Sequence, residues 1–218
     1  CPWGQTLPFV LASARAISGI RERLLIPTIR FRDGERQVQR ALSAMAAEMG
    51  VSRKLSDRAA EKAFRAQREF SANLVEAGKD ALRDLRKHGR EGIVMIGRPY
   101  TLYDPGSNQD IPRKLRDMFG MDLIPMDFLP LDSVDIRDSH NNMFWNYGRR
   151  ILQTMRLVQK HPDLHVVYLS NFKCGPDSFI HHFAGGISTK PYLVLQIDGH
   201  GSDAGAMTRC EAYLESKG

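Results

Sequence analysis

Three cysteines, seven histidines and four Gly-, Pro-, Asn- and Asp-rich loops are where this 218-residue chain could do chemistry. Cys174 comes first. It follows the apolar run 164–169 in a loop that reads Ser170-Asn171-Phe172-Lys173-Cys174-Gly175-Pro176-Asp177. A thiol just past a buried strand, behind a lysine that favours the thiolate, suits metal binding or nucleophilic attack. The same residue also reads as a small buried hydrophobe, and both readings stay open. Cys210 lies three residues after Met207 and four before Leu214, on the apolar stripe of a closing helix, which is a core position. Cys1, beside Pro2 and Gly4, has a loop-like setting suited to a ligand. No CxxC or HExxH spacing occurs, so a metal site has to gather cysteines distant in sequence. His181 and His182 are adjacent and cannot face one site together from a helix. His200, between Gly199 and Gly201, is the better acid–base candidate, with Asp198 as the alternative carboxylate. No nucleophile elbow or phosphate-binding glycine loop is present.

These residues need elements to position them. From 92 onward, short apolar runs alternate with helical patterns. Strands are expected over 92–97, 121–126, 164–169 and 192–197, and helices over 110–120, 142–159, 179–184 and 206–216. Four such alternations predict an α/β domain with a parallel, flavodoxin-like sheet of about four strands. Ligands of such sheets bind at the carboxyl ends of the strands, where Cys174, Asp198 and His200 collect. Residues 1–91 read as a mainly helical segment. Val38, Ala41, Leu42, Met45 and Met49 form one stripe stopped by Gly50, and Ser56 or Asp57 is expected to cap a longer helix carrying Ala60, Phe64, Leu74 and Leu85. The run 24–31 could be an edge strand bent at Pro27. The sequence thus divides into 1–91 and 92–218. Its first residue, Cys1 rather than Met, suggests that the helical part completes a domain lying upstream.

Composition narrows the classes. Hydrophobic residues at 42% and charged residues at 26% fit a folded globular chain rather than a disordered one. The best apolar run, 7–14, carries Pro8 and falls far short of the roughly 18 residues of a membrane span, so no membrane role is expected. No charged leader precedes it. An odd number of cysteines in a chain this long predicts reduced thiols and a cytoplasmic setting. The net charge of +6 splits into +7 over 1–92 and −1 over 93–218. Because the basic excess is interleaved with acids, as in Glu61-Lys62 and Arg68-Glu69, it reads as solvated helix faces rather than a nucleic-acid surface.

Several strings are long and specific: CPWGQTLPFV, IGRPYTLYDPGSNQDIPRKL, DLIPMDFLPLD, YLSNFKCGPDSFIHHF and DAGAMTRCEAYLES. Together they resemble the C-terminal, dehydratase-subunit-like region of the large proteins related to activators of 2-hydroxyacyl-CoA dehydratases. The resemblance implies an iron–sulfur protein in which separate loops supply cysteines to a [4Fe–4S] or double-cubane cluster. Cys174 matches the last of these cysteines, Cys1 resembles the middle one, and the first would lie upstream. Cys210 falls where such subunits carry an apolar residue. The implied function is ATP-coupled, low-potential electron transfer to an acyl-CoA or other small substrate, with ATP handled by an activase domain or subunit. Arg98 and Arg209 could then meet CoA phosphates or a substrate carboxylate, or pair with nearby Asp. The resemblance leaves room for a dimer. It also leaves an alternative, a non-catalytic electron-transfer or scaffold module of an activase fusion.

Overall fold

The computed structural model describes residues 2–17, 19–198 and 202–217. The chain forms two compact units, Cys1–Ser71 and Ala72–Gly218.

The first unit is helical, as expected. It contains α1 (Pro2–Ser13), α2 (Glu35–Glu48) and the first half of α3 (Arg53–Lys87), which runs on into the second unit. Gly50 turns the chain out of α2 with φ +76°, a conformation that glycine adopts without steric cost. Ser52, not Ser56 or Asp57, starts α3, because its carbonyl accepts from the Leu55 and Ser56 N–H groups. Ser56 and Asp57 face α2 instead, where the Ser43 hydroxyl donates to Asp57 Oδ1 at 2.8 Å. Val38, Ala46 and Ala60 are the buried apolar residues here, while Phe9, Val10, Ile26, Phe31 and Leu55 stay exposed. The edge strand expected over 24–31 does not form. Pro27 has no N–H to offer a ladder, and the described residues of this unit provide no strand for it to pair with.

The second unit is the α/β domain. Its strands are β1 (Gly92–Gly97), β2 (Asp122–Pro125), β3 (Leu164–Asn171) and β4 (Leu193–Ile197). All pair in parallel, in the order β2-β1-β3-β4. This is the flavodoxin-like arrangement the sequence predicts. β1 lies in the middle with helices on both faces, which is why its sequence is apolar throughout and every residue is buried. Burying each of Ile93, Val94 and Ile96 contributes about 1.5–3 kcal/mol.

The helices follow the strand order. α5 (Ile111–Phe119) crosses from β1 to β2 and packs with the closing helix α9 (Ala204–Glu215) on one face. α7 (Asn146–Val158) and α8 (Gly175–Ile187) pair on the other. Two short helices, α4 (Pro99–Tyr103) and α6 (Arg137–His140), complete the set. α4 was not expected. α8 starts four residues before the expected 179, because Pro176 in its first turn fits a helix start and needs no N–H there. Asp110 does stand at the start of α5, but its carboxylate pairs with Arg113 rather than capping the helix. Among the described residues no helix is long and apolar enough to cross a membrane.

Close packing leaves α3 one contact with no room for a side chain. A Cβ on Gly78 would stand 1.9 Å from the carbonyl oxygen of Phe128. Gly186, on an exposed turn of α8, meets nothing within 4 Å. Gly78→Ala is therefore expected to lower stability by about 1–3 kcal/mol despite its better helix propensity. Gly186→Ala should be neutral or raise stability by up to about 1 kcal/mol. Urea midpoints measured on the two variants side by side check the contrast, and equal midpoints would refute the packing argument.

Candidate functional site

Strand order decides where the site lies. The crossover from β1 goes to one side, towards β2, and the next strand is laid on the other side as β3. The carboxyl ends of β1 and β3 therefore flank a topological switch point, where helices leave in opposite directions and a crevice opens. Arg98 follows β1 and Cys174 follows β3, so both stand at this point. Gly97 lets the two strand ends close up, since a Cβ there would lie 2.6 Å from the Leu169 carbonyl oxygen. Thr101, buried in α4, returns its hydroxyl to the Arg98 carbonyl at 2.8 Å. Asn108 is also buried. Its amide donates to the Thr101 carbonyl at 3.0 Å, and its side-chain oxygen accepts from the Asp110 N–H. These bonds hold a short helix that has little stability of its own.

On the β3 side the chain turns sharply. The Cys174 N–H donates to the Asn171 carbonyl at 3.1 Å, and Lys173 takes φ +60°, a left-handed conformation uncommon for a side-chain-bearing residue. The Lys173 ammonium lies over the Phe172 ring, 5.4 Å from its centre. Cys174 is the N-cap residue of α8 and is half-buried. Ser178 closes the first turn, with both its N–H and its hydroxyl donating to the Cys174 carbonyl.

The centre of the site is Asp177, one turn into α8. Its side chain is 1% exposed, yet it pairs with Arg98 Nε at 2.7 Å and accepts from Ser170 Oγ at 3.0 Å. One carboxylate thus ties α8 to the ends of both β1 and β3. Burial opposes the charge on Arg98, but Asp177 outweighs it, and the Cys174 thiol adds to the effect, so Arg98 is held more firmly protonated than a free arginine. Tyr100 lies in the same field. Burial first, and then the neighbouring Cys174, push its hydroxyl above the ordinary range. A second polar knot sits at the end of β2. Asp127 accepts from Arg150 Nη2 at 2.9 Å and from the Tyr103 hydroxyl at 3.0 Å.

The remaining candidates are dispersed. Cys210 is wholly buried on α9, on the sheet face away from α8, and burial pushes its thiol up to about 11. That is the environment of a core thiol. Arg209 is exposed on the same helix, where its guanidinium donates to the Val194 carbonyl at 2.7 Å. Asp198 follows β4 on the carboxyl rim, with its carbonyl accepting from the Gln109 amide. Cys1 and His200 lie outside the described residues. Among those that are described, no three His, Cys, Asp or Glu side chains converge as a metal-binding set. Sequence reading missed Asp177, Ser170 and Tyr100 as site residues. Pro176 followed by an acid was the available signal, since both mark a helix's first turn and would have placed Cys174 at the cap.

A family model described as the CoA enzyme activase uncharacterised domain (DUF2229) matches residues 1–129, about three-fifths of the chain. The chain belongs to this family. The matched span includes Arg98, Tyr100 and, of the second knot, Tyr103 and Asp127, and it ends before Arg150, β3, Cys174 and Asp177. No curated protein and no solved structure matches the chain.

The buried Arg98–Asp177 pair leads to a double-mutant prediction. Removing one partner strands the other charge, so Asp177→Ala or Arg98→Met should each lower stability by about 3–5 kcal/mol. The double variant should lose clearly less than the sum of the two. Strict additivity in urea unfolding would show that the two side chains are not coupled.

The thiols give a second prediction. In cluster-free native protein, an alkylating reagent followed by peptide mass spectrometry should modify Cys174 readily and spare Cys210 until the chain unfolds. A buried thiol with a raised pKa stabilises the fold below the unfolded value near 9 and loses that contribution as pH rises towards 11. Alkaline destabilisation on the order of 2–3 kcal/mol across that window should be smaller in Cys210→Ala.

Proposed function

We propose that this chain is part of an iron–sulfur protein related to the 2-hydroxyacyl-CoA dehydratases. In this reading Cys174 is one thiolate ligand of a [4Fe–4S] or double-cubane cluster. The assembly takes part in ATP-coupled electron transfer to an acyl-CoA or other small substrate. The observation that carries the reading is the place of Cys174: a half-buried thiol at the switch point, beside an arginine, at the N-terminus of a 13-residue helix.

Such clusters take three or four thiolates as a rule. Of the described cysteines, Cys174 suits a ligand position, whereas Cys210 is sealed in the core. Further ligands would come from Cys1 or from protein outside this chain. When bound, the group supplies one-electron chemistry at low potential. The chain's own residues hold its surroundings in place. Asp177 fixes Arg98 beside the thiol, and both Arg98 and the N-terminus of α8 favour negative charge there. In this reading Asp198, which follows β4, or His200 would move a proton. ATP would be hydrolysed by an activase domain or subunit. The helical segment, with Phe9, Val10, Ile26 and Phe31 exposed, would complete a domain upstream.

Iron and acid-labile sulfide measured on oxygen-free protein, wild type against Cys174→Ser, test the proposal. Stoichiometric iron that is lost in the variant is the expected result. Iron retained in Cys174→Ser would remove Cys174 as a ligand, and no iron in either protein would leave a cluster-free scaffold module. Iron without turnover of 2-hydroxyacyl-CoAs would favour a pure electron carrier.

A further inference from the structure

On the second unit's stretch of α3, Lys79, Leu82, Arg83 and Arg86 recur at steps of three and four and so share one face. Between that face, Pro130, and Leu157 and His161 at the end of α7 lies a groove of about 310 Å³. Small-molecule sites begin at roughly this size. Leu82 is buried, and Pro130 and Leu157 are half-buried, so the floor is apolar. Lys79, Arg83 and Arg86 stand at its edge, open to solvent. Arg86 lies six residues before β1 and His161 three before β3. That end of the groove is therefore at the amino ends of the strands, away from Cys174.

The basic groups are unequally matched. Lys79 pairs with Glu76 and Arg83 with Asp80, each on its own helix. No acid among the described residues lies in ion-pair reach of Arg86, whose Nη2 donates instead to His161 Nδ1 at 3.2 Å. An arginine keeps its proton, so this contact requires a neutral imidazole. Burial first, and then Arg86, hold the His161 ring below its ordinary range; Lys160 and Lys190 act the same way, and Asp163 opposes them. Two bases thus face each other at the end of the groove, where one anion would satisfy both. The carbonyls at the end of α7 would repel an anion, but they are already engaged. Lys190 Nζ donates to those of Val158, His161 and Leu164.

Length and volume select the occupant. From Lys79 to Arg86 the helix advances about 10 Å. So short a groove offers far less than the roughly 800 Å² per partner of a stable protein interface. At about 30 Å³ per water-sized group, it holds about ten non-hydrogen atoms. A molecule of that size with an apolar body and one anionic end matches both the floor and the charge. An inorganic anion would leave Leu82, Pro130 and Leu157 uncovered, and a neutral apolar molecule would leave Arg86 without a countercharge.

We propose that the groove binds a medium-chain carboxylate of about eight carbons, its head between Arg86 and His161 and its chain along α3 over Leu82, Leu157 and Pro130. The bound carboxylate accepts from the Arg86 guanidinium and from a His161 ring that takes up a proton. The site is independent of any cluster at the carboxyl rim.

The test is a titration of the whole chain with octanoate, its neutral isostere octanamide and the shorter butanoate, followed by NMR of isotope-labelled histidine rings. The His161 signal is assigned by its absence in His161→Gln. Octanoate is expected to shift it saturably, with a Kd of about 1 mM, and to raise the pH at which the ring titrates. Octanamide should bind about tenfold more weakly, for want of a charged contact, and leave that pH unchanged. Butanoate, four methylenes shorter, should also bind at least about tenfold more weakly. Arg86→Gln, at an exposed position, should fold as the wild type does and weaken octanoate about tenfold. Lys87→Gln removes the same charge from a residue outside the groove and should leave binding unchanged. The proposal falls if the His161 signal does not move up to about 20 mM octanoate. Equal binding of butanoate would mean a plain anion site and equal binding of octanamide a plain apolar one, and either overturns it. So does an Arg86→Gln variant that binds octanoate as the wild type does, or a Lys87→Gln variant weakened as much.

Discussion

A carboxylate with 1% of its surface exposed has to be matched, and the arrangement of the α/β unit around Asp177 is the consequence. Left alone in the interior, such a charge would cost more than most single side chains contribute to a fold. Arg98 supplies the countercharge from the end of β1, and Ser170 a hydrogen bond from β3. The first turn of α8 is thereby pinned over the two strands whose ends define the switch point. Cys174, three residues earlier, has no freedom to choose its place. It caps the helix that Asp177 anchors.

The two polar knots divide the work along the carboxyl rim. At β2, Asp127 with Arg150 and Tyr103 fixes the end of α4 and the start of α7. At β1 and β3, Asp177 does the same for α8. On the opposite sheet face Lys114 of α5 reaches Asp203 at 2.6 Å and joins α5 to the start of α9. Each crossover is thus tied at the rim by an ion pair or a charge-assisted hydrogen bond, while the helices are held over the middle of the sheet by the apolar core. A rim built this way is polar without being loose, which suits a surface that has to present side chains in set positions. The family match takes in Tyr103 and Asp127 of the first knot and stops short of Arg150.

How much of this was legible in the sequence depended on what fixed each feature. β1 and β3 could be read directly, because strands buried on both faces must be apolar at every position, and 92–97 and 164–169 are. The core position of Cys210 was legible from the stripe it shares with Met207. α4 was not, because five residues have no helical preference worth reading and Asn108 secures this helix through bonds that form only in the fold. The edge strand read into 24–31 shows the converse. A β-branched run predicts a strand only where a partner exists to receive it. The role of Asp177 was hidden for a related reason. An acid in a helix's first turn reads as an exposed group favoured by the helix dipole, so the burial of Asp177 emerges only once α8 is docked on β1 and β3.

The position of β1 has a consequence for the order of events at the ribosome. β1 pairs with β2 soon after both are made, since the two strands are close in sequence. Its other edge must wait until some 70 further residues, through β3, have been synthesised. Non-local parallel pairings of this kind form late and slowly. Until then β1 carries one open, apolar edge, and the loop that ends in Cys174 has no sheet to stand on. The rim is therefore the last part of the unit to exist. Anything that has to be loaded there can be delivered only once β3 has been made and paired with β1.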